Sequence, residues 1–527
     1  MSPSPEDPAD DARYLALKAR DARFDGSFFT GVTSTGIYCR PVCKVRTPRR
    51  ENCRFFRLAA QAEQAGFRPC LRCRPELAPG PGAWSVQDAS AILARQAARL
   101  LDDPAGWPGS APTMTALAMR LGVSDRHLRR IFEAHLGVSP LQYLQTRRLL
   151  AAKQLLTDTG LPVARIALAS GFASLRRFNA AFVTHYGLNP TRLRREGRAG
   201  EGQGVAVQLG YRPPYDVNAM LDFFARRQID SLEFVTGEPG ARVLGKTIRL
   251  QAAGQTHTGW LTARFDAARH AVLLRVSDSL CEVLPLVIPR LRALLDLDAD
   301  PAAINAVLSR PAARDSGAPV LIDALPGLRV PGCLDGFELA VRAILGQQIT
   351  VAAARTLGQR LVEHFGEPLA TPWPGLSRLF PAPRTLAQAC GDTLGQLGIV
   401  RQRQAAIVAL AQAVADGRLA LDGNADVPAT VAALKALPGI GDWTAQYVAM
   451  RALRWPDAFP AGDVALQKAL GVHSDREAER ACEAWKPWRS YAVVRAWHQG
   501  PQPLTESSLS LDSTQDPAVA GAEVQSS

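Results

Sequence analysis

The residue types best suited to chemistry fall into two groups near opposite ends of this 527-residue chain. Near the start, Cys39 and Cys43 form one closely spaced pair, and Cys70 and Cys73 form another. Two such pairs can supply four thiolates to a tetrahedral Zn²⁺ ion, although buried free thiols, disulfides or a purely structural zinc knuckle are alternatives. Near the end lies Asp463, whose carboxylate could stabilise positive charge or activate water; a helix N-cap is the simpler role.

A tight turn between two helical patterns precedes Asp463. In the segment Leu437–Gly441, a proline stops one helix. Gly439 and Gly441 allow backbone angles and close approaches that a residue with a side chain could not adopt. The first N–H groups of the next helix lack intrahelical partners, so they suit a phosphate oxygen. A turn between two core helices that binds nothing is the alternative. With Asp463 twenty residues after Trp443, the stretch resembles the helix-hairpin-helix DNA glycosylases, whose catalytic aspartate follows the hairpin at a similar distance.

Two further segments, Tyr211–Asp216 and Leu328–Ile349, are similar to the AlkA-type 3-methyladenine DNA glycosylase II family. In that family an aspartate stabilises the oxocarbenium ion and positions or deprotonates the attacking water. The resemblance implies that Trp443, Tyr447 and Trp497 form the base pocket, where cation–π contact would favour positively charged alkylated purines. Each of these aromatic residues could instead belong to the core.

The same resemblance places a duplex-inserting wedge at Gln347 and Gln348. Gln348 occupies the wedge position itself, where some relatives carry leucine, and a solvated helix cap is the alternative. In relatives that also cleave the backbone, a lysine stands where this chain has Trp443, so we expect a monofunctional enzyme. The remaining cysteines are too scattered for the iron–sulfur cluster of some relatives.

Around the first cysteine group, Phe28–Cys43 and Gly66–Cys73 closely resemble the N-terminal domain of the Ada family. In that family the first cysteine, here Cys39, both binds zinc and irreversibly takes a methyl group from a DNA methylphosphotriester. Methylation would change the charge of the zinc–thiolate site from −2 to −1, so repulsion from DNA should fall. We interpret Cys53, outside the pattern, as a packing residue.

Two helix-turn-helix patterns follow. Ser124 and Ser174 are suitable N-caps for the second helix of each pattern, and we expect Leu168 and the nearby phenylalanines Phe178 and Phe182 in the core. The tandem pattern resembles the AraC-type transcription-factor domain. Arginines near the start of a recognition helix can reach base edges or phosphates. The predicted DNA-binding residues are Arg126, Arg129, Arg130, Arg176 and Arg177.

The composition of the whole chain restricts the class of protein to which it can belong. With 47% hydrophobic and 21% charged residues the chain is globular, and its net charge of +12 favours phosphate partners. No run of about 18 apolar residues occurs, and the acidic start does not resemble a secretory signal. Nine cysteines suit a reducing compartment. We therefore expect a bacterial, cytoplasmic, nucleoid-associated monomer with no membrane partner.

The predicted fold class is multidomain and mainly α with α+β parts. The zinc-bound methyl-acceptor domain is a small α/β unit (12–77), followed by the tandem helix-turn-helix (85–196). A mixed α+β domain similar to the AlkA N-terminal domain (205–320) precedes the all-α helix-hairpin-helix glycosylase domain (321–498). The Ser/Thr/Pro-rich tail (499–527) is predicted to be disordered.

Together these features predict an alkylation-damage protein with Zn²⁺ as cofactor. It would excise alkylated purines, accept methyl groups on Cys39, and activate transcription through promoter DNA and RNA polymerase. No Pro-Cys-His-Arg motif is present, so the O6-methylguanine methyltransferase that often accompanies the Ada domain should be missing. The alternative is a methylation-sensing regulator whose glycosylase half only binds DNA.

Overall fold

The computed structural model describes residues 8–79, 89–102, 112–193, 204–252, 254–309 and 325–499. Most of the two predicted linkers (79–82 and 197–204) and the predicted disordered tail lie outside these residues. Among the helices described, none is both long enough and apolar enough to cross a membrane.

The first unit is a small α/β domain, as predicted. Its four strands form a sheet in the order β3-β1-β2-β4, with β1 antiparallel to both its neighbours and β2 parallel to β4. Phe29, Tyr38 and Phe67 form its apolar core. The elements are α1 Pro8–Ala19, β1 Phe29–Val32, β2 Ile37–Cys39, β3 Cys53–Phe56, α2 Ala59–Gln64 and β4 Arg68–Pro69. Cys53 is buried, which agrees with a packing role.

The second unit contains both predicted helix-turn-helix motifs. The Oγ atoms of Ser124 and Ser174 accept the N–H groups of His127 and Arg177, so both are N-caps as predicted. Phe178 and Phe182 are fully buried, but Leu168 is 63% exposed and the prediction that it is a core residue is wrong. The helices are α3 Ala89–Asp102, α4 Met114–Arg120, α5 Asp125–Leu136, α6 Pro140–Asp158, α7 Val163–Ala169, α8 Leu175–Tyr186 and α9 Pro190–Leu193.

The third unit is the predicted mixed α+β domain. Its five strands form an antiparallel sheet in the order β5-β9-β8-β7-β6. Three α-helices accompany this sheet among the residues that the structure describes. The elements are β5 Val205–Gly210, α10 Val217–Ala225, β6 Glu233–Thr236, β7 Val243–Ala252, β8 Gln255–Asp266, β9 Ala271–Val276, α11 Leu284–Leu294 and α12 Pro301–Leu308.

The last unit is built from helices, as the sequence predicts. Two buried apolar clusters form its interior, and Tyr447 packs against both. The helices are α13 Gly336–Leu345, α14 Val351–Phe365, α15 Pro383–Ala387, α16 Gly391–Gln396, α17 Arg401–Ala415, α18 Val427–Lys435, α19 Asp442–Arg451, α20 Val464–Leu470, α21 Asp475–Ala481 and α22 Arg489–Gln499.

Candidate functional site

Asp463 lies at the N-terminus of α20, and its carboxylate has three N–H donors. Oδ1 accepts the backbone N–H of Leu466 at 2.8 Å and the indole Nε1–H of Trp497 at 3.0 Å. Oδ2 accepts the indole Nε1–H of Trp443 at 2.7 Å. The residue is therefore an N-cap, and two aromatic side chains from different helices also orient its carboxylate. A cap alone would not need the two indoles.

The three predicted pocket aromatics lie together beside this carboxylate. Trp443 and Tyr447 are one helical turn apart on α19, so they share a face, and their rings stack at 5.1 Å with an interplanar angle of 11°. Trp497 on α22 lies 6.1 Å from the Tyr447 ring at 45°. All three side chains are half-buried, so their exposed parts remain available to a ligand.

Arg451, which no sequence motif indicates, holds the hydroxyl end of Tyr447. Its buried guanidinium donates to the Tyr447 hydroxyl at 2.5 Å and to the carbonyl oxygens of Pro331 and Gly332 at 2.7 and 2.8 Å. It also lies 4.8 Å from the ring centre of Phe223 on α10. Burial alone would raise the pKa of Tyr447, but the charges of Arg451 and Arg227 outweigh it and lower that pKa.

Replacing Arg451 by methionine should cost about 3 kcal/mol or more in the free energy of unfolding, because it leaves three buried acceptors unpaired. The rate of base release should fall too, since Tyr447 loses its anchor. Urea denaturation measures the first effect. The matched control is Arg418→Met: Arg418 pairs with Asp416 on the surface, so the change should stay within about 0.5 kcal/mol. Equal stabilities of the two variants would contradict the role given to Arg451.

A cleft lies beside Trp497, between α10 and the end of α22. Its lining includes Phe223, Arg226, Arg227 and Arg329. Arg227 lies 3.8 Å from the centre of the Phe223 ring, and burial lowers its pKa to about 10, so it remains charged at neutral pH. The Phe223 ring thus already faces a cation. The preference of the cleft for positively charged bases over neutral ones stays a prediction.

The predicted hairpin connects α18 to α19. Gly439 has a φ of +71°, and a Cβ there would lie 3.2 Å from that of Ala406, so glycine suits both its conformation and its space. Gly441 precedes α19 with open space around it, and no side chain caps the helix. The first N–H groups of α19 are thus available to a phosphate oxygen.

The two glutamines of the predicted wedge differ in their surroundings. The Nε2 of Gln347 donates to the Gly439 carbonyl at 3.0 Å and to the Thr444 hydroxyl at 2.9 Å, and Arg403 donates to the Gln347 carbonyl. Gln347 therefore connects the predicted wedge to the hairpin between α18 and α19. Direct contact of Gln347 with substrate stays a prediction. Gln348 is exposed and has a φ of +56°, a strained conformation for a non-glycine residue.

The four cysteines form the predicted metal site. Their sulfur atoms all lie within 4.8 Å of one another, and none of the four forms a disulfide. Four sulfurs this close fit a tetrahedral Zn²⁺ with Zn–S distances of about 2.3 Å. The backbone N–H of Arg40 donates to the Cys73 sulfur at 3.3 Å, and its side chain pairs with buried Asp25. These residues form the zinc site, and the disulfide alternative is wrong.

The five predicted DNA-binding arginines are all exposed. Arg126, Arg129 and Arg130 lie on α5, and Arg176 and Arg177 lie in the first turn of α8. Both helices are the second of their motif, the position that enters the major groove in helix-turn-helix proteins.

Four family models match successive parts of the chain. They are the metal-binding domain of Ada (residues 12–76), a helix-turn-helix domain (117–196), the AlkA N-terminal domain (206–335) and the HhH-GPD superfamily base excision DNA repair protein (341–489). Together with the site, they define a helix-hairpin-helix DNA-repair protein that also carries a zinc domain and a DNA-reading domain.

Individual relatives show to which family within this class the chain belongs. A probable bifunctional transcriptional activator/DNA repair enzyme AlkA from Mycobacterium tuberculosis is 36% identical over 503 residues, covering 94% of this chain and 97% of that protein. DNA-3-methyladenine glycosylase 2 from Escherichia coli is 37% identical over 56% of this chain and 98% of its own length. The bifunctional Ada protein of Escherichia coli is 39% identical over 26% of this chain and 36% of its own length. This chain belongs to the family of AlkA-type bifunctional transcriptional activator/DNA repair enzymes.

Proposed function

We propose that this protein excises alkylated purines of the 3-methyladenine type from double-stranded DNA by hydrolysing the N-glycosidic bond. Cys39 also accepts methyl groups from DNA methylphosphotriesters, and the helix-turn-helix unit couples this to transcription activation. The observation that carries the glycosylase proposal is the Asp463 carboxylate, held by two indole N–H groups, one of which belongs to Trp497 in the lining of the cleft. The test is chromatographic detection of free 3-methyladenine released from alkylated DNA. No release by the wild-type protein would leave only the DNA-binding regulator.

The geometry suggests a division of work within the glycosylase site. The hairpin holds the DNA backbone through the N–H groups that begin α19, without reading sequence. The extruded base enters the cleft next to Trp443, Tyr447 and Trp497. As the C–N bond breaks, its electron pair leaves with the base, and Asp463 stabilises the positive charge that develops on the sugar. A water oxygen then bonds to the anomeric carbon, and the carboxylate orients this water and takes its proton.

We infer that the enzyme is monofunctional. The backbone-cleaving relatives need an amine to form a Schiff base at the position of Trp443. Here that position holds an indole whose N–H is already bonded to Asp463. The Lys435 amine, on the other side of the hairpin, pairs with Asp442 at 2.8 Å. Incubation with an abasic duplex should therefore leave the strand intact, whereas a strand break not caused by spontaneous elimination would contradict this inference.

Gln348 offers a test in which stability and activity should not change together. Replacing it by glycine relieves the left-handed backbone, so the free energy of unfolding should stay within about 1 kcal/mol of wild type. The exposed amide that would fill the space of the extruded nucleotide is lost, so base release from duplex DNA should fall about tenfold. Single-stranded alkylated DNA, which needs no extrusion from a duplex, should be processed at the wild-type rate.

Gln348→Leu is the matched control for this variant, because it keeps a side chain of similar size and should retain activity on duplex DNA. If Gln348→Gly processed the duplex as fast as Gln348→Leu does, Gln348 would not be the wedge.

For the methyl-acceptor activity, the zinc domain needs a nucleophilic sulfur. Bound zinc keeps its four sulfur ligands as thiolates at neutral pH. The Cys39 sulfur attacks the methyl carbon, the carbon–oxygen bond breaks, and the phosphate oxygen leaves as a phosphodiester anion. The Cys73 sulfur is a weaker candidate for the nucleophile, because it accepts a hydrogen bond from the Arg40 N–H at 3.3 Å. A single-methyl mass increase on Cys39 is the expected product.

A further inference from the structure

Helix α6 lies between the zinc domain and the sheet of the glycosylase half (residues 204–499). Its side chains Leu149, Leu155 and Leu156 belong to the same buried apolar cluster as Val207 and Leu209 of strand β5, and each is at most 2% exposed. The helix-turn-helix unit and the β5 sheet therefore share one core. They are not separate bodies joined only by a linker.

On its zinc side, α6 is joined to the second cysteine pair by buried charges. Lys153 is 1% exposed, and its Nζ lies 2.5 Å from a Glu76 carboxylate oxygen and 3.4 Å from the Cys70 carbonyl oxygen. Glu76 also accepts from Arg74, the residue after Cys73, at 2.9 Å. Buried charges of this kind are tolerated only while their partners stay in place.

Arg74 extends this contact to the end of the helix. Its Nη1 lies 2.6 Å from a carboxylate oxygen of Asp158, the last residue of α6, and its Nη2 donates to the Thr157 hydroxyl at 2.7 Å. Arg74 has a φ of +55°, so its backbone is held in a conformation that L residues rarely adopt. The segment that carries two zinc ligands is thus fastened to α6 at two points.

On its other side, α6 is bonded to the glycosylase half. Gln154, next to Lys153, donates its Nε2 to the carbonyl oxygen of Gln208 in β5 at 3.0 Å. A second link bypasses α6: buried Arg212, just after β5, donates to the Asp25 carbonyl oxygen at 2.8 Å. The Asp25 carboxylate in turn pairs with Arg40, the neighbour of Cys39. Two routes thus lead from zinc ligands to β5.

We propose that the zinc site, α6 and β5 form one cooperative unit, so that the state of the four cysteines sets the stability of the sheet in the glycosylase half. Removing zinc frees the Cys70–Cys73 segment, because metal binding and folding are coupled in such sites. Glu76 and Arg74 then lose their fixed positions, and Lys153 loses its counter-charge. The helix loosens, and with it the core it shares with β5. The chain runs from β5 directly into α10, which lines the base-binding cleft.

Hydrogen–deuterium exchange of the full chain, with and without zinc, tests this proposal. Zinc removal by a chelator should make peptides from α6 and β5 exchange at least about tenfold faster, because their local opening becomes easier. Peptides from α17, in the glycosylase domain, should not change. If only residues 8–79 responded, the zinc domain would be an independent module and the proposal would be overturned. Because the readout is not activity, failure of the proposed glycosylase function would leave this result unaffected.

Two variants locate the coupling. Lys153→Met, with one zinc still bound per chain, should weaken the response of β5 to zinc removal without abolishing it, because the link from Arg212 to Asp25 stays in place. A response as large as in wild type would overturn the proposal. Should this variant not fold, Gln154→Leu decides: α6 should still respond to zinc removal, but the response of β5 should shrink. The matched control is Gln145→Leu, at an exposed position on the same helix. Gln154→Leu and Gln145→Leu behaving alike would also overturn the proposal.

Discussion

Asp463→Asn should lower the single-turnover rate of 3-methyladenine release by about 10²- to 10³-fold, the usual cost of losing one preorganised electrostatic group. The substitution removes the negative charge that would stabilise the sugar cation. It also replaces one carboxylate oxygen with an NH₂ group. Each oxygen of Asp463 accepts an indole N–H, one from Trp443 and one from Trp497. In the variant the new NH₂ group therefore faces an indole N–H, and neither group can accept a hydrogen bond. The carboxamide should therefore also be poorly oriented.

The fold should survive this change. Asparagine caps helices about as well as aspartate, so the thermal midpoint should stay close to that of wild type. Asp426→Asn is the matched control. Asp426 caps α18 by accepting the Ala429 N–H at 2.8 Å, the same local role that Asp463 has towards Leu466. This control should release base at the wild-type rate. If Asp463→Asn did so as well, Asp463 would be only a cap.

The parts of the site that the sequence predicted depend on local chemistry. Ser124 and Ser174 each accept the N–H group three residues later in the chain, so their capping roles can be predicted from neighbouring residues. Trp443 and Tyr447 are four residues apart on a helix, which places their rings together. Short spacing keeps the two cysteines of each pair together, and the parallel pairing of β2 with β4 then brings the two pairs to each other.

What the sequence did not reveal depends on contacts between distant residues. Arg451 bonds to carbonyls about 120 positions earlier in the chain, and no local pattern indicates this. The joining of the zinc domain to the glycosylase half through Lys153 and Gln154 is hidden for the same reason. Leu168 was wrongly assigned because helical spacing of apolar residues normally marks a buried face. Met119, at the matching position of the first motif, is also exposed, at 75%.

Cys39→His should abolish methyl acceptance while keeping the metal. Three cysteines and one histidine are an ordinary zinc ligand set, so one zinc per chain should remain bound. The imidazole that replaces the thiolate is a zinc ligand and is not free to take the methyl group. Mass spectrometry after incubation with methylphosphotriester DNA should therefore show a single-methyl increase for wild type and none for the variant. The control is Cys53→Ala: Cys53 is buried in the same domain but lies outside the cluster, so methyl acceptance should persist.

The same variant also tests the charge switch. Zinc with three thiolates and a neutral imidazole has a charge of −1, which equals that of the methylated wild-type site. Unmethylated Cys39→His should therefore bind promoter DNA about two- to fivefold more tightly than unmethylated wild type at low salt, since one charge is worth about 1 kcal/mol at close range. Fluorescence anisotropy at low and high salt measures this, and the difference should shrink at high salt because exposed charges are screened. An unchanged affinity at low salt would mean that methylation acts through shape rather than charge.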